Sequence, residues 1–277
     1  HYEPYQSYFM NDKVSADLYQ RVFSKEAQCN LLAKYFNWSE NSPVKFMPVG
    51  HHLAHAASSY YLSGFNQALV VVIDGMSETE SLSIMVGEDN TLRLLHTIPD
   101  IYSLGILYSL FTVYLGFEFN SDEYKVMGLA SYGDPNVYIH ELMDWVSLKD
   151  KGTYTLSLLT KEDTPDQQAA YAKALLALER RFGPSRKPGS EITSVHHNIA
   201  AAVQAVLEKS VLHVLKYYRL TTKKHHLCLS GGVALNCVGN SRILKDGSFE
   251  DIWIQPASGD AGSALGAALF IWYQYLG

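Results

Sequence analysis

His51 and His55 stand four residues apart in the stretch HHLAHAAS at 51–58. On a helix that spacing puts both imidazoles on one face, one turn apart, where they can reach a single metal ion. A metalloprotease helix uses the same spacing, but its general-base Glu after the first His is here His52, which disfavours that chemistry. The pair reads either as two ligands or as packed or surface histidines. Ala54, Ala56 and Ala57 favour helix and leave room for a close approach. Four further stretches could carry chemistry. The β-branched run ALVVVID at 68–74 reads as a buried strand, and its Asp74-Gly75 end delivers a carboxylate where the chain turns. Residues 230–236, SGGVALN, are a strand end, paired glycines and a helix start. Glycine lets backbone approach a phosphate, and a helix N-terminus offers free N–H groups; a plain tight turn is the alternative. The stretch lacks the Lys-Ser/Thr ending of a P-loop and is not the dinucleotide fingerprint. Residues 260–266, DAGSALG, open a small-residue helix in which Asp260 is either an N-cap or a hard-oxygen metal ligand. Asp122, Glu123 and Lys125 form a charged cluster in the Gly- and turn-rich segment 117–135, either a solvated face or a site.

The elements that must position these residues follow from periodicity. A packing helix is expected over 15–38, with Leu18, Val22, Phe23, Ala27, Leu31, Leu32 and Phe36 at helical spacing. A short strand at 44–49 would feed a helix over 51–61, followed by a turn at 63–66. Strands are expected at 80–86 and 91–98, joined by a Glu88-Asp89-Asn90 turn. Three antiparallel strands with a carboxylate at the end of the first open a ribonuclease-H-like lobe, as in actin-like and sugar-kinase folds. Helices are expected over 101–116, 167–182 and 197–218, with loops at 161–166 and 183–190. Strands at 226–229 and 249–255 complete the pattern. Residues 136–195 show no chemistry.

Composition sets the bounds. The chain has 277 residues, 47% hydrophobic and 18% charged, as in a globular protein with a substantial core. A net charge of −6 argues against a general nucleic-acid or membrane-surface binder. No apolar run approaches the roughly eighteen residues needed to cross a bilayer. The opening HYEPYQSYFMNDK has no basic or apolar signal pattern, and three scattered cysteines form no disulfide framework or Cys-type zinc site. The cytoplasm is the expected location. Residue 1 is His, so the chain is expected to be a piece of something longer.

Together HHLAHAAS, VVVIDG, DEYKVMGLASYG, LSGGVALNCVGNS and PASGDAGSALGAAL resemble, in the same order, the NodU/CmcH-type O-carbamoyltransferases. The resemblance runs from about residue 51 to 270, and RKPGSEITSVHHNIAAAVQAVLE at 186–208 also looks like that family. It implies an α/β, ribonuclease-H-like, actin-like ATPase fold of two lobes, related to the tRNA threonylcarbamoyladenosine enzymes. The first lobe would be incomplete: residues 1–66 would be its remainder and 67–277 the second lobe with the nucleotide and metal cleft. A metal would be held by His51, His55, Asp74 and Asp260. Iron(II) is the expected ion, with manganese or zinc open, since two imidazoles and two carboxylates suit several divalent ions. Gly75, Gly231, Gly232 and Asn236 would meet the nucleotide, with Gly259 and Gly262 lining the same cleft. Glu123 and Lys125 would lie near the acceptor or the carbamoyl group.

The implied chemistry has two stages. Carbamoyl phosphate and ATP give carbamoyl adenylate, and the carbamoyl group then passes to a hydroxyl of a small-molecule natural product. Two parts of the family pattern are not found, an N-terminal strand–loop motif with an Asp and a His, and a C-terminal YrdC-like adenylating domain. The loop after Asp74 also reads GMSETES where the family has a further Gly-Glu. Two other functions are weighed against this one. A threonylcarbamoyl transferase acting on tRNA is disfavoured by the acidic charge, so no nucleic-acid partner is expected. A nucleotide- and metal-binding fragment without turnover is the other. The acceptor and the oligomeric state, a homodimer among the options, are not set by the sequence.

Overall fold

The computed structural model describes residues 24–38, 45–159 and 167–277, together with Asp17, Gln20 and Arg21. The first helix, α1 (Lys25–Phe36), starts where Ser24 accepts the Ala27 N–H and stops at Asn37 in the left-handed region. It is shorter than the sequence predicts, and none of its residues is buried, so Leu31 and Phe36 do not pack into the core described below. Leu18, Val22 and Phe23 lie outside the described residues. The strand expected at 44–49 is irregular over 45–50: Pro48 has no N–H to give a ladder, and Gly50 already caps the next helix.

That helix, α2 (His51–Tyr60), leads through a turn into β1 (Gln67–Ile73), β2 (Glu80–Glu88) and β3 (Thr91–Pro99). Then come α3 (Leu104–Tyr114), α4 (Glu123–Leu129) and α5 (Ile139–Met143). Helix α4 corrects the expectation of a loop throughout 117–135: Val126 is fully buried, which gives this short segment a face to pack. A small hairpin of β4 (Val146–Lys149) and β5 (Thr153–Leu156) precedes α6 (Gln167–Phe182) and the long α7 (Ser194–Thr222). Thr193 and His196 cap α7 reciprocally, and Lys223 ends it in the left-handed region. The chain finishes with β6 (His226–Ser230), α8 (Cys237–Asp246), β7 (Asp251–Ile254) and α9 (Ser263–Phe270). Residues 161–166, expected as a loop, are outside the described residues.

Among the described residues five strands form one mixed sheet in the order β3-β2-β1-β6-β7. The first three run antiparallel, and β6 and β7 continue in parallel with β1. Strand β1 is buried on both faces, which explains its continuous apolar run. Leu69, Val71 and Ile73 pack under α3 and α7, while Ala68, Val70 and Val72 meet Ala56, Ala57 and Tyr60 of α2. The histidine helix therefore lies directly on the sheet that starts at Gln67. The result is an α/β fold with helices on both faces of a mixed sheet. No helix among the described residues is long and apolar enough to cross a membrane.

Candidate metal centre and adjoining cleft

Helix α2 delivers its histidines as the spacing predicts: the two Nε2 atoms lie 3.1 Å apart, with His55 fully buried and His51 partly open. Gly50 gives α2 no side-chain cap; Glu78, from the loop after β1, accepts the His51 N–H at 3.2 Å instead. A carboxylate at that end also suits the helix dipole. Asp74 sits where β1 ends. Its Oδ1 accepts the N–H of Gly75 at 2.8 Å and of Gly232 at 3.1 Å. That pins the carboxylate so that Oδ2 faces His51 Nε2 at 2.9 Å and His55 Nε2 at 3.1 Å. Asp260 Oδ1 completes the group at 3.6 Å from His51 and 3.4 Å from His55. The cap reading of Asp260 fails, because it is the first residue of a single 3-10 turn and its side chain makes no capping bond.

Burial alone would raise the Asp74 pKa, but hydrogen bonds from His51 and His55, the charge of His55 and the Gly75 N–H hold it well below the usual carboxylate range. Burial pulls His51 down, yet the Asp74 hydrogen bond and charge, with Asp260 and Glu78, leave its pKa raised. The donors fit a cation. All four ligand atoms lie within 4.8 Å of one another. Donors about 2.1 Å from a tetrahedral ion stand ~3.4 Å apart, and the separation of the two Nε2 atoms and their distances to Asp74 Oδ2 and Asp260 Oδ1, 2.9 to 3.6 Å, straddle that value. His55 Nδ1 is buried with no hydrogen-bond partner, so the ring is held through Nε2 alone.

Helix α9 packs so closely on α2 that a Cβ on Gly266 would stand 1.8 Å from the Ala54 carbonyl oxygen. The small residues of 51–58 thus receive another helix, and this contact carries the Asp260 turn to the histidines. Gly262 serves that turn, where a Cβ would meet the Ala257 carbonyl at 2.0 Å. Gly259 faces Leu235. Neither glycine lines the cleft beside the metal group, contrary to expectation.

That cleft, about 270 Å³, is walled by Asp74, Gly75, Tyr108, Glu123, Gly232 and Asn236 among others. Gly231, at φ +90°, lets the chain pass β1, since a Cβ would sit 2.3 Å from the Ile73 oxygen. Its N–H goes to Ser258 O at 2.8 Å and that of Gly232 to Asp74, so both are engaged within the protein. Asn236 is the N-cap of α8, its Oδ1 accepting the Gly239 N–H at 2.8 Å. Glu123 Oε1 accepts Ser109 Oγ at 2.6 Å and the Asn120 N–H at 2.9 Å. Lys125 is not brought to the cleft: it pairs with Asp122 at 2.8 Å and lies over the rings of Phe117 and Tyr124.

Sequence reasoning missed Glu78, Tyr108, Ser109 and Gln204. The amide of Gln204 inside the apolar run IAAAVQAVLE was the one available signal.

Residues 5–269 match the carbamoyltransferase N-terminus family. An uncharacterized protein of Synechocystis is 40% identical over 95% of the chain and 42% of its own length. The nodulation protein NolNO of Sinorhizobium fredii is 38% identical over 87% of the chain and 33% of its own length. NolO of Bradyrhizobium diazoefficiens is 38% identical over 80% and 38%. The chain thus spans well under half of these relatives. Among solved structures, HypF of T. kodakarensis aligns with 91% of the chain and 39% of its own at a TM-score of 0.44 and 16% identity. Component A of the Acidaminococcus fermentans (R)-2-hydroxyglutaryl-CoA dehydratase aligns with 79% and 65% at 0.40 and 14%. On the family match over nearly its whole length and on these relatives, the chain belongs to the NodU-type carbamoyltransferase family.

Proposed function

We propose that this chain is the transfer domain of an enzyme that moves a carbamoyl group from carbamoyl adenylate, made from carbamoyl phosphate and ATP, to a hydroxyl of a small molecule. The observation that carries the reading is the convergence of His51, His55, Asp74 and Asp260 beside a cleft that shares Asp74, in a chain of a carbamoyltransferase family. The meander β3-β2-β1 continued by parallel β6 and β7, with a carboxylate at the end of β1, supports a ribonuclease-H-like, actin-like ATPase fold. Whole-protein activity belongs to the longer polypeptide that the relatives represent.

His51, His55, Asp74 and Asp260 would hold a divalent ion, iron(II) by family resemblance, whose positive charge favours the developing oxyanion and the departing AMP. The chain's own groups do the rest. The Gly232 N–H orients Asp74, tying the glycine turn to the metal centre. In transfer, the acceptor oxygen bonds the carbamoyl carbon, the bond from that carbon to the AMP oxygen breaks, and the hydroxyl proton needs a base. Asp74 and Glu123 are the carboxylates of the cleft wall. Asp74 is committed through Oδ1 to the Gly75 and Gly232 N–H groups and through Oδ2 to the ligand group with His51 and His55. Glu123 keeps one oxygen beyond the contacts to Ser109 and Asn120, so it is the residue assigned the proton.

The test uses the full-length protein and needs no knowledge of the acceptor. Release of pyrophosphate from ATP should depend on carbamoyl phosphate. ATP turnover indifferent to carbamoyl phosphate would contradict the reading. Tight tRNA binding would instead favour threonylcarbamoyl transfer, against which the net charge of −6 speaks.

A further inference from the structure

Gln204 is a buried polar side chain in the middle of α7, flanked by Ala200–Val203 and by Val206 and Leu207, all buried. It does not line the cleft. We propose that Gln204 is a positioning residue that sets the hydrogen-bonding polarity of the cleft wall by locking Asn236 and Tyr108. The recognition part of this inference rests on the nucleotide reading of the cleft given above.

A backbone group fixes the orientation of both amides. The Gly239 N–H can only donate, so the atom of Asn236 that meets it at 2.8 Å must be the oxygen. Asn236 Nδ2 is then the atom 2.9 Å from Gln204 Oε1, and Gln204 Nε2 the atom 3.0 Å from Asn236 Oδ1. The two amides form a reciprocal pair. Gln204 Nε2 gives its second hydrogen to Glu208 Oε1 at 2.9 Å, and Oε1 accepts the Tyr108 hydroxyl, also at 2.9 Å. Both hydrogens and both lone pairs of the Gln204 amide are used. Flipping that amide would set donor against donor at Asn236 Nδ2 and acceptor against acceptor at Asn236 Oδ1 and Glu208, so a single orientation survives.

The consequence reaches the cleft, where Tyr108 and Asn236 are wall residues. Asn236 Oδ1 already has two donors, and the two Asn236 amide hydrogens are drawn to Gln204 Oε1 and to the Tyr108 oxygen. Tyr108 has given its hydrogen to Gln204, so it meets the cleft as an acceptor. What the locked network leaves for the cleft is a Tyr108 lone pair, an acceptor that a ligand hydroxyl can meet by donating. Without Gln204 the Tyr108 hydrogen would be free to rotate into the cleft, and the pattern would be lost.

The experiment compares wild type, Gln204→Met, Tyr108→Phe and the double variant, using ATP as the probe in titration calorimetry. Methionine keeps the side-chain length and removes all four contacts. Each single variant should weaken ATP by about five- to tenfold, the size of one oriented hydrogen bond. The double variant should be no weaker than the poorer single, because both act through one network. A second readout needs no ligand. Exchange of the Asn236 side-chain amide protons, followed by NMR, should be faster in Gln204→Met than in wild type. Gln204→Leu removes the same four contacts with a different shape, and it should give the same two losses if methionine disturbs folding. Unchanged ATP affinity in Gln204→Met, or additive losses in the double variant, would overturn the recognition role. Failure of wild type to bind ATP would overturn the nucleotide reading and the recognition role with it. Amide exchange decides the positioning role in every case: faster exchange supports it, and unchanged exchange overturns it.

Discussion

His52 lies between the two candidate ligands and has a different task. It is buried, with Nδ1 2.7 Å from Ser83 Oγ, and burial, reinforced by His51 and His55 and only partly offset by Asp74, lowers its pKa to about 3. The unfolded chain therefore takes up a proton near pH 6.5 that the folded chain refuses until about pH 3. Stability is held above pH 6.5 and lost as pH falls through that window, at up to about 1.4 kcal/mol per unit. Urea midpoints of metal-free protein between pH 6 and 4 should fall for wild type and fall less for His52→Phe. Equal slopes would remove His52 as the cause. His51 has the opposite sign: with its pKa raised by Asp74, its contribution is present at low pH and fades as pH rises through the folded value. At this scale the sequence was legible where spacing decides. His51, His55 and Asp74 were readable because one helix turn and one strand end place them. Glu78, Tyr108 and Gln204 were not, because their partners lie 27, 96 and 32 residues away and depend on tertiary packing.

Two helices and two loops, rather than the ligands themselves, fix the site. The α2–α9 contact has no room for a side chain at Gly266, where a Cβ would be 1.8 Å from the Ala54 oxygen and 2.9 Å from the Ser58 nitrogen. Gly266→Val should force the helices apart, cost about 2–4 kcal/mol and draw Asp260 away from the histidines. Its check is a lowered melting temperature together with weakened metal binding. A variant of wild-type stability and metal content would show that α9 does not position Asp260. The paired glycines divide their work. Gly231 passes the chain over β1, and Gly232 donates to Asp74 with a Cβ position 3.0 Å from Oδ1. Gly232→Val should therefore weaken nucleotide and metal together. Loss of one with full retention of the other would separate the glycine turn from the metal centre. The sheet and its long helices were legible because β1 is β-branched throughout and α7 has an unbroken amphipathic period. The strand expected at 44–49 and the loop expected at 123–129 were misread. Pro48 denies the ladder a donor, and a single buried Val126 is enough to pack one short helix.

At the scale of the molecule, the sheet brings three distant segments to one point. The end of β1 supplies Asp74, the crossing helix α2 supplies the histidines, and the turn before α9 supplies Asp260. The cleft opens beside them under α3, α4 and α7. A chain spanning under half of these relatives thus brings together all four residues of the candidate metal centre. It also makes the metal centre the part of the account most open to direct test. The measurement is metal content per chain by elemental analysis, for wild type and His55→Ala, each with and without ATP. The account predicts about one divalent ion per wild-type chain, held more firmly with ATP, and loss of most of it in His55→Ala, because a divalent ion needs its full set of fixed ligands. Metal content unchanged by His55→Ala, or no metal in wild type under either condition, would contradict it.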